Sequence, residues 1–370
     1  MNRLFILGMI LLICVSSVVK SQDETEGGDK DFYKSSTFNG LKFRSIGPAI
    51  ASGRISDIAV NPENCNEYYA AAASGGVWKS TNAGITWEPI YENQNSYSIG
   101  CLAIDSNNPF VVWVGSGENN SQRSVSYGDG VYKSTDGGKN WKNMGLKNSE
   151  HIGKIIIDPS NSNIVYAAAQ GPLWGPGGDR GLYKTTDGGE SWNKILDISE
   201  NTGVSDIVFD PRDSQVIYAS SYQRRRHIYT LINGGPESNI HKSTDGGKTW
   251  VKLTSGIPGI DKGRIGLAVS PVNPDYVYAI IEAAEDKGGF FRSTNRGATW
   301  EKRNDYIATS PQYYMEIYCD PFNADRVYSL DTWTKVTDDG GKTFNNLGNN
   351  GRHVDDHAFW VDPKRRLKSK

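Results

Sequence analysis

A single octapeptide recurs six times in this chain, and no other feature restricts its fold as tightly. The copies are Ser80–Trp87 (STNAGITW), Ser134–Trp141 (STDGGKNW), Thr185–Trp192 (TTDGGESW), Ser243–Trp250 (STDGGKTW), Ser293–Trp300 (STNRGATW) and Thr337–Phe344 (TDDGGKTF), spaced 54, 51, 58, 50 and 44 residues apart. Each follows a buried-looking run that ends in a proline turn, such as 56–62, 154–159, 205–211 or 266–271. A β-branched and aromatic segment comes next, as at 164–166, 216–218, 276–278 and 326–328. A third strand enters the octapeptide and a fourth leaves it. Four short antiparallel strands per repeat, each sheet twisted, bury their faces only against neighbouring copies. The expected fold is therefore all-β, a β-propeller of four-stranded blades. Gly 41, Trp 10 and Tyr 19 fit a turn-rich, aromatic β protein.

The octapeptide resembles the Asp-box, or BNR, repeat with its S-x-D-x-G-x-T-W pattern. Its Ser/Thr hydroxyl and Asp carboxylate suit turn amides, its Gly supplies the positive φ of a tight hairpin, and its aromatic residue fills the gap between blades. Asn82 and Asn295 stand where Asp136, Asp187, Asp245 and Asp339 stand in the other copies. Asparagine keeps the acceptor and loses the titratable proton, so the position needs hydrogen bonding and not acid–base chemistry. These six, with Trp87, Trp141, Trp192, Trp250, Trp300 and Phe344, are read as structural.

Asn2 and Arg3 followed by an apolar core from Leu4 to Val19 read as an export signal, with Val19 and Ser21 placed for cleavage before Gln22. About sixteen apolar residues fall short of the roughly 20 that span a bilayer. The expected layout is a signal peptide at 1–21, a flexible acidic lead-in at 22–38, the propeller at 39–363 and a basic tail at 364–370. The location is then secreted, periplasmic or extracellular, with no membrane span in the mature chain. The formal net charge of -2 offers no field for nucleic acid. Cys65, Cys101 and Cys319 are an odd number after cleavage, unlike a disulfide framework. No cofactor is expected.

Six repeats occupy about 53–350, and 353–363 matches the first strand of a seventh before the basic tail begins. The expectation is six complete blades plus an incomplete seventh, with 41–46 as an outer strand of the last blade and the chain a truncated form of a longer protein.

Gly115–Asn120, Gln122–Gly130, Leu173–Pro176, Gly263–Pro271 and Asp356–Pro363 resemble exported bacterial proteins with a sortilin N-terminal domain or of glycosyl-hydrolase-like repeat type, over their first third. Sortilin-like propellers bind peptides, and xyloglucanase-like tandem propellers hydrolyse glucan between two propellers. The resemblance places a catalytic carboxylate of those enzymes at an Asp-Ile-Gly-Gly segment, and the matching stretch here is Ala73-Ser-Gly-Gly76. Alanine cannot protonate a leaving group. A sialidase reading fails because no arginine triad can be placed around Arg44.

Function in a propeller sits on loops, and the second-to-third-strand loops 119–129, 171–180 and 222–237 are the expanded ones. They gather Asn119, Gln122, Arg123, Tyr127, Trp174, Tyr222, Arg224, Arg225, Arg226, His227 and Tyr229 on one face as candidate contacts for a peptide, protein or glycan. Other partners foreseen are the remainder of a larger protein. The predicted function is a ligand-binding or scaffold module, the alternative a xyloglucanase-like glycoside hydrolase or an inactive relative. Glu118 is the one carboxylate proposed for hydrolysis. His353, Asp355, Asp356 and His357 imitate a metal site, but on a strand His353 and His357 stand about 13 Å apart, so no metal is expected and the strand is read as lining the axial channel.

Overall fold

The computed structural model describes residues 35–41, 52–348 and 351–364. The export segment, residues 22–34 of the lead-in, the outer strand expected at 41–46 beyond Leu41, and the tail past Lys364 lie outside them. Ser35–Phe38 form one 3-10 turn. Among the described residues no helix is long and apolar enough to cross a membrane.

Six four-stranded antiparallel sheets form the propeller ring, each with its strands paired in chain order. Blade one comprises Ser52–Val60, Tyr68–Ser74, Gly76–Ser80 and Glu88–Pro89; blade two, Ile99–Ile104, Val112–Ser116, Val131–Ser134 and Lys142–Asn143. Blade three comprises Ile152–Ile157, Val165–Gln170, Arg180–Thr185 and Asn193–Leu196. Blade four has Thr202–Asp210, Asp213–His227, Ile240–Ser243 and Val251–Lys252, with an extra strand Thr230–Asn233 paired to the second. Blade five comprises Lys262–Val269, Val277–Ala283, Gly289–Ser293 and Glu301–Asn304; blade six, Ile317–Cys319, Val327–Ser329, Lys335–Thr337 and Asn345–Asn346.

The octapeptide is the turn from third to fourth strand in every blade. Its hydroxyl accepts the fifth-position Gly amide at 2.8–2.9 Å in all six copies. Its third-position oxygen accepts the seventh-position amide at 2.9–3.0 Å, from Asn82 and Asn295 as from the aspartates. Hydrogen bonds from Asn140 hold the Asp136 carboxyl down at about 2; at Asp339 burial pushes upward, but the bonds from Thr343 outweigh it and leave it at about 2. A carboxyl depressed on folding stabilises the fold above its ordinary value near 3.8, and that contribution is lost as pH falls toward about 2. Converting Asp136 and Asp339 to Asn should therefore flatten the acid-unfolding curve between pH 4 and 2 (approximate bounds). Equal acid sensitivity of the double variant and the parent would refute this.

A device absent from the sequence reading couples blade to blade. Lys79, Lys133, Lys184 and Lys242, on successive third strands, each donate Nζ to an octapeptide carbonyl of the next blade at 2.6–3.0 Å. Each ammonium also lies 4.9–5.4 Å over an aromatic ring of its own blade. Lys184→Met should cost about 1–2 kcal/mol, a charged hydrogen bond discounted for partial exposure; urea unfolding at neutral pH measures it, and no shift in midpoint would count against the strut.

Among the described residues five apolar cores lie at the junctions one–two, two–three, three–four, four–five and five–six. The junction of blade six with blade one is built differently. Residues 353–363, expected as the first strand of a seventh blade, pair with no strand; Phe359 packs on Tyr318 and Tyr328 of blade six, and Lys364 donates to the Pro62 carbonyl of blade one at 2.6 Å. Ile55 is 43% exposed there, whereas its counterparts Ile99, Ile152, Val204, Arg264 and Tyr314 are at most 5% exposed. Ile55→Asp should therefore change stability by no more than about 0.5 kcal/mol, against several for Ile99→Asp. Comparable losses in both variants would contradict the exposure of Ile55.

Candidate functional site: the long-loop face

Each first strand starts, and each second strand ends, on the face opposite the octapeptides, so all second-to-third-strand loops share that face. In blade two the loop spans 117–130 and is entered at Gly117, where φ is +84° and an added Cβ would lie 1.8 Å from the Glu150 carbonyl oxygen. Only glycine fits so close an approach.

Glu118 follows, buried, and organises the loop. Its carboxylate meets Arg54 Nη1 at 2.5 Å, Asn120 Nδ2 at 3.0 Å and the Ser126 amide at 2.9 Å. Its carbonyl lies 2.9 Å from His151 Nδ1. The carboxylate proposed for hydrolysis is thus tied on both oxygens. Arg54, which sequence reasoning passed over, also donates to Asn119 Oδ1 at 3.1 Å and stacks over Tyr313. No local pattern marks Arg54, because its partner lies 64 residues away.

The third long connection is not a loop. Tyr222–His227 continue the second strand of blade four into a hairpin with Thr230–Asn233. Strand alternation turns Tyr222, Arg224 and Arg226 toward the blade-two loop. Arg224 is fully buried and donates to the Asn120 carbonyl at 2.6 Å; Arg226 donates to the Ser121 carbonyl at 2.9 Å and to that of Arg123. Arg225 reaches Asn201, and Tyr222, buried, reaches Asn233. The loop beneath is further held by Gln312, whose carbonyl accepts the Ser121 amide and whose side chain donates to Gln122 Oε1, both at 2.9 Å. Of the arginines expected to meet a ligand, Arg224, Arg225 and Arg226 therefore brace neighbouring segments.

What remains outward is mainly aromatic. Tyr127 is 73%, Trp174 60% and Tyr229 86% exposed, with His227 stacked on Tyr229 at 5.4 Å. Arg123 is exposed, and Asn119 and Gln122 are half-buried. The face thus pairs a rigid polar floor with free ring surfaces.

The expected axial strand at 353–363 does not line the channel. Residues of the first strands and their entries do, among them Asp57, Cys101, Lys154, Asp206, Gly266 and Glu316, around a cavity of about 30 Å³. Five of these stand five residues before the turn proline, a register that was legible in the sequence. Asp57 and Asp206 accept the Leu102 and Leu267 amides of the next blade, which makes them ring staples. Burial pushes Lys154 downward, yet electrostatic interaction with the neighbouring Tyr318, Asp57 and Asp206 outweighs it and leaves it raised. His357 instead stacks on Tyr314 at 4.7 Å, and burial lowers it to about 4, a neutral ring. Asp356 pairs with Arg352 and Asp355 with Tyr314. Among the described residues no group of three or more His, Cys, Asp or Glu is disposed to hold a metal ion.

A family model described as Sortilin-Vps10 (sortilin, neurotensin receptor 3) matches residues 129–263. A xyloglucanase of Paenibacillus sp. is 23% identical over 251 residues, 60% of this chain and 23% of that protein. A xyloglucanase of Hypocrea jecorina (strain QM6a) is 28% identical over 184 residues, 46% of this chain and 20% of that protein. The chain is similar to sortilin-type and xyloglucanase-type propellers. It spans about a fifth to a quarter of the length of these curated xyloglucanases. Among solved structures, an ancestral GH74 enzyme superposes with a TM-score of 0.58 at 22% identity, over 82% of this chain and 38% of that one. YCF48 bound to D1 peptide gives 0.50 at 13% identity, over 83% and 87%. At these identities the structural likeness establishes the fold alone.

Proposed function

We propose that the protein is an exported ligand-binding or scaffold propeller that grips a peptide or glycan on its long-loop face. The observation that carries this reading is the division of labour there: Arg224, Arg225 and Arg226 brace the loops, while Tyr127, Trp174 and Tyr229 keep their rings free. Exposed aromatics on a braced floor suit stacking on sugar rings or apolar peptide side chains with little ordering cost. Support also comes from relatives that are xyloglucanases and from the similar fold of YCF48 bound to D1 peptide. Export rests on the apolar segment at 4–19.

A second reading, glycoside hydrolysis, is favoured by the names of those relatives. Against it stand Ala73 in place of a carboxylate, buried within blade one, and a Glu118 already tied by Arg54, Asn120 and Ser126. Calorimetric titration with xyloglucan oligosaccharides and with acidic peptides, run beside a reducing-end assay, separates the two. Saturable binding without new reducing ends is the expected result. Release of reducing ends supports the hydrolase, and absence of binding to either class overturns the ligand-face reading.

A further inference from the structure

The blade-four hairpin ends in a strand with a free edge. Thr230–Asn233 pairs with the second strand of its blade and, among the described residues, with no strand on its other side. The turn at Ile228 and Tyr229 makes His227–Thr230 and Arg225–Ile232 the hydrogen-bonded pairs, so the main-chain groups of Leu231 and Asn233 point outward. The segment reads Thr-Leu-Ile-Asn, with Leu231 46% and Ile232 38% exposed. It carries neither the charge nor the proline that blunts a free edge.

Beside it a cleft of about 340 Å³ runs between residues 232–235 and blade-five residues 261–263 and 282–284. Its two walls join where the Gly235 amide donates to the Lys262 carbonyl at 3.0 Å. The cleft is acidic. The Glu282 carboxylate lies against bare backbone, since an added Cβ on Gly263 would fall 1.9 Å from its Oε2. It accepts the Arg264 amide at 3.0 Å and, at 3.4 Å, Asn233 Nδ2 from the opposite wall. Among the described residues no salt bridge reaches Glu282 or Asp261. The Arg264 guanidinium pairs with Glu316 at 2.6 Å, and Lys262 gives its ammonium to the Pro258 and Ile260 carbonyls at 3.0 Å. Burial pushes the Glu282 carboxyl up despite the lowering effect of Arg264, the state of an acid short of positive charge.

We propose that Thr230–Asn233 receives an extended segment of a partner protein as an added strand, with a lysine or arginine of that segment entering the cleft against Glu282 and Asp261. Main-chain hydrogen bonds supply the hold and the acidic cleft the selectivity. Resting on the reading of the long-loop face as a binding surface, this narrows its ligand at the hairpin to a basic peptide.

The test titrates the intact chain, by calorimetry, with short extended peptides of Thr and Val that differ only in a central Lys, norleucine or Glu. The Lys peptide should bind about tenfold or more tighter than the norleucine peptide, and Glu282→Gln should erase that preference. Leu231→Pro removes one outward donor and spares the pairing with the second strand, so it should abolish peptide binding and leave the urea midpoint in place. Equal affinity for the Lys and Glu peptides, no binding of the Lys peptide, or unchanged binding by Leu231→Pro overturns the basic-strand partner. If xyloglucan oligosaccharides or acidic peptides still bind in that event, the wider binding face stands; if they do not, both fall. A dimer in sedimentation that Leu231→Pro disperses would give the edge to a second copy of this chain and overturn it as well.

Discussion

Replacing Glu118 by alanine is expected to destabilise the protein by about 3–5 kcal/mol, more than any other single loop-face change. The reason is the isolation of Arg54. Its guanidinium side chain is 9% exposed and would keep only Asn119 as a side-chain acceptor, leaving a buried charge unpaired. The Ser126 amide and the Asn120 side-chain amide lose their acceptor in the same step. Glu118→Gln keeps the shape and one acceptor oxygen, so its loss should be smaller, and Arg54→Met in the Glu118→Gln background should recover part of it. Urea unfolding of the parent, Glu118→Ala, Glu118→Gln, Arg54→Met and the Glu118→Gln/Arg54→Met double variant measures these differences and closes the cycle. A Glu118→Ala loss below about 1 kcal/mol would mean that the pair is not buried as described.

The second large effect concerns affinity. Tyr127→Ala, Trp174→Ala and Tyr229→Ala combined should weaken ligand binding at least a hundredfold, about 2.8 kcal/mol at tenfold per 1.4 kcal/mol. The urea midpoint should move little, because exposed rings support no core. The braces predict the opposite pattern: Arg226→Ala should loosen Ser121 and Arg123 and lower stability as well as affinity. Binding is read by calorimetry with whichever oligosaccharide or peptide class saturates the parent protein. Unchanged affinity in the triple variant would remove the aromatic face from consideration.

The six blades were legible because the octapeptide carries its own hydrogen-bond geometry. Ser134, Asp136 and Gly138 close their turn within five residues, so a local pattern specifies a local structure. The long-loop face was legible for the same reason, since the repeat fixes which connections share a side. The roles of its residues were not. Tyr222, Arg224 and Arg226 looked like loop side chains free to meet a ligand, but strand pairing at Thr202–Gln223 and Arg224–Asn233 carries the strand through them and turns alternate residues inward. The partners of Arg224 and Arg226, such as Asn120 for Arg224 at 104 residues, lie far off in the chain, a distance over which sequence spacing says nothing. The same holds for Arg54 with Glu118. At 353–363 the first-strand pattern is present, yet a strand needs neighbours to pair with, and the segment instead packs by Phe359 against the rings of Tyr318 and Tyr328.

The most direct measurement follows the tryptophan indole resonances by NMR while xyloglucan oligosaccharides and, separately, acidic peptides are added. Trp174, exposed on the long-loop face, should shift in a saturable way, while Trp141 and Trp192, whose indoles donate to the Ile90 and Met144 carbonyls of the preceding blade at 2.8 Å, should hold still. Shifts confined to the octapeptide tryptophans, or a Trp174 signal that ignores every ligand, would contradict a binding face built on these loops.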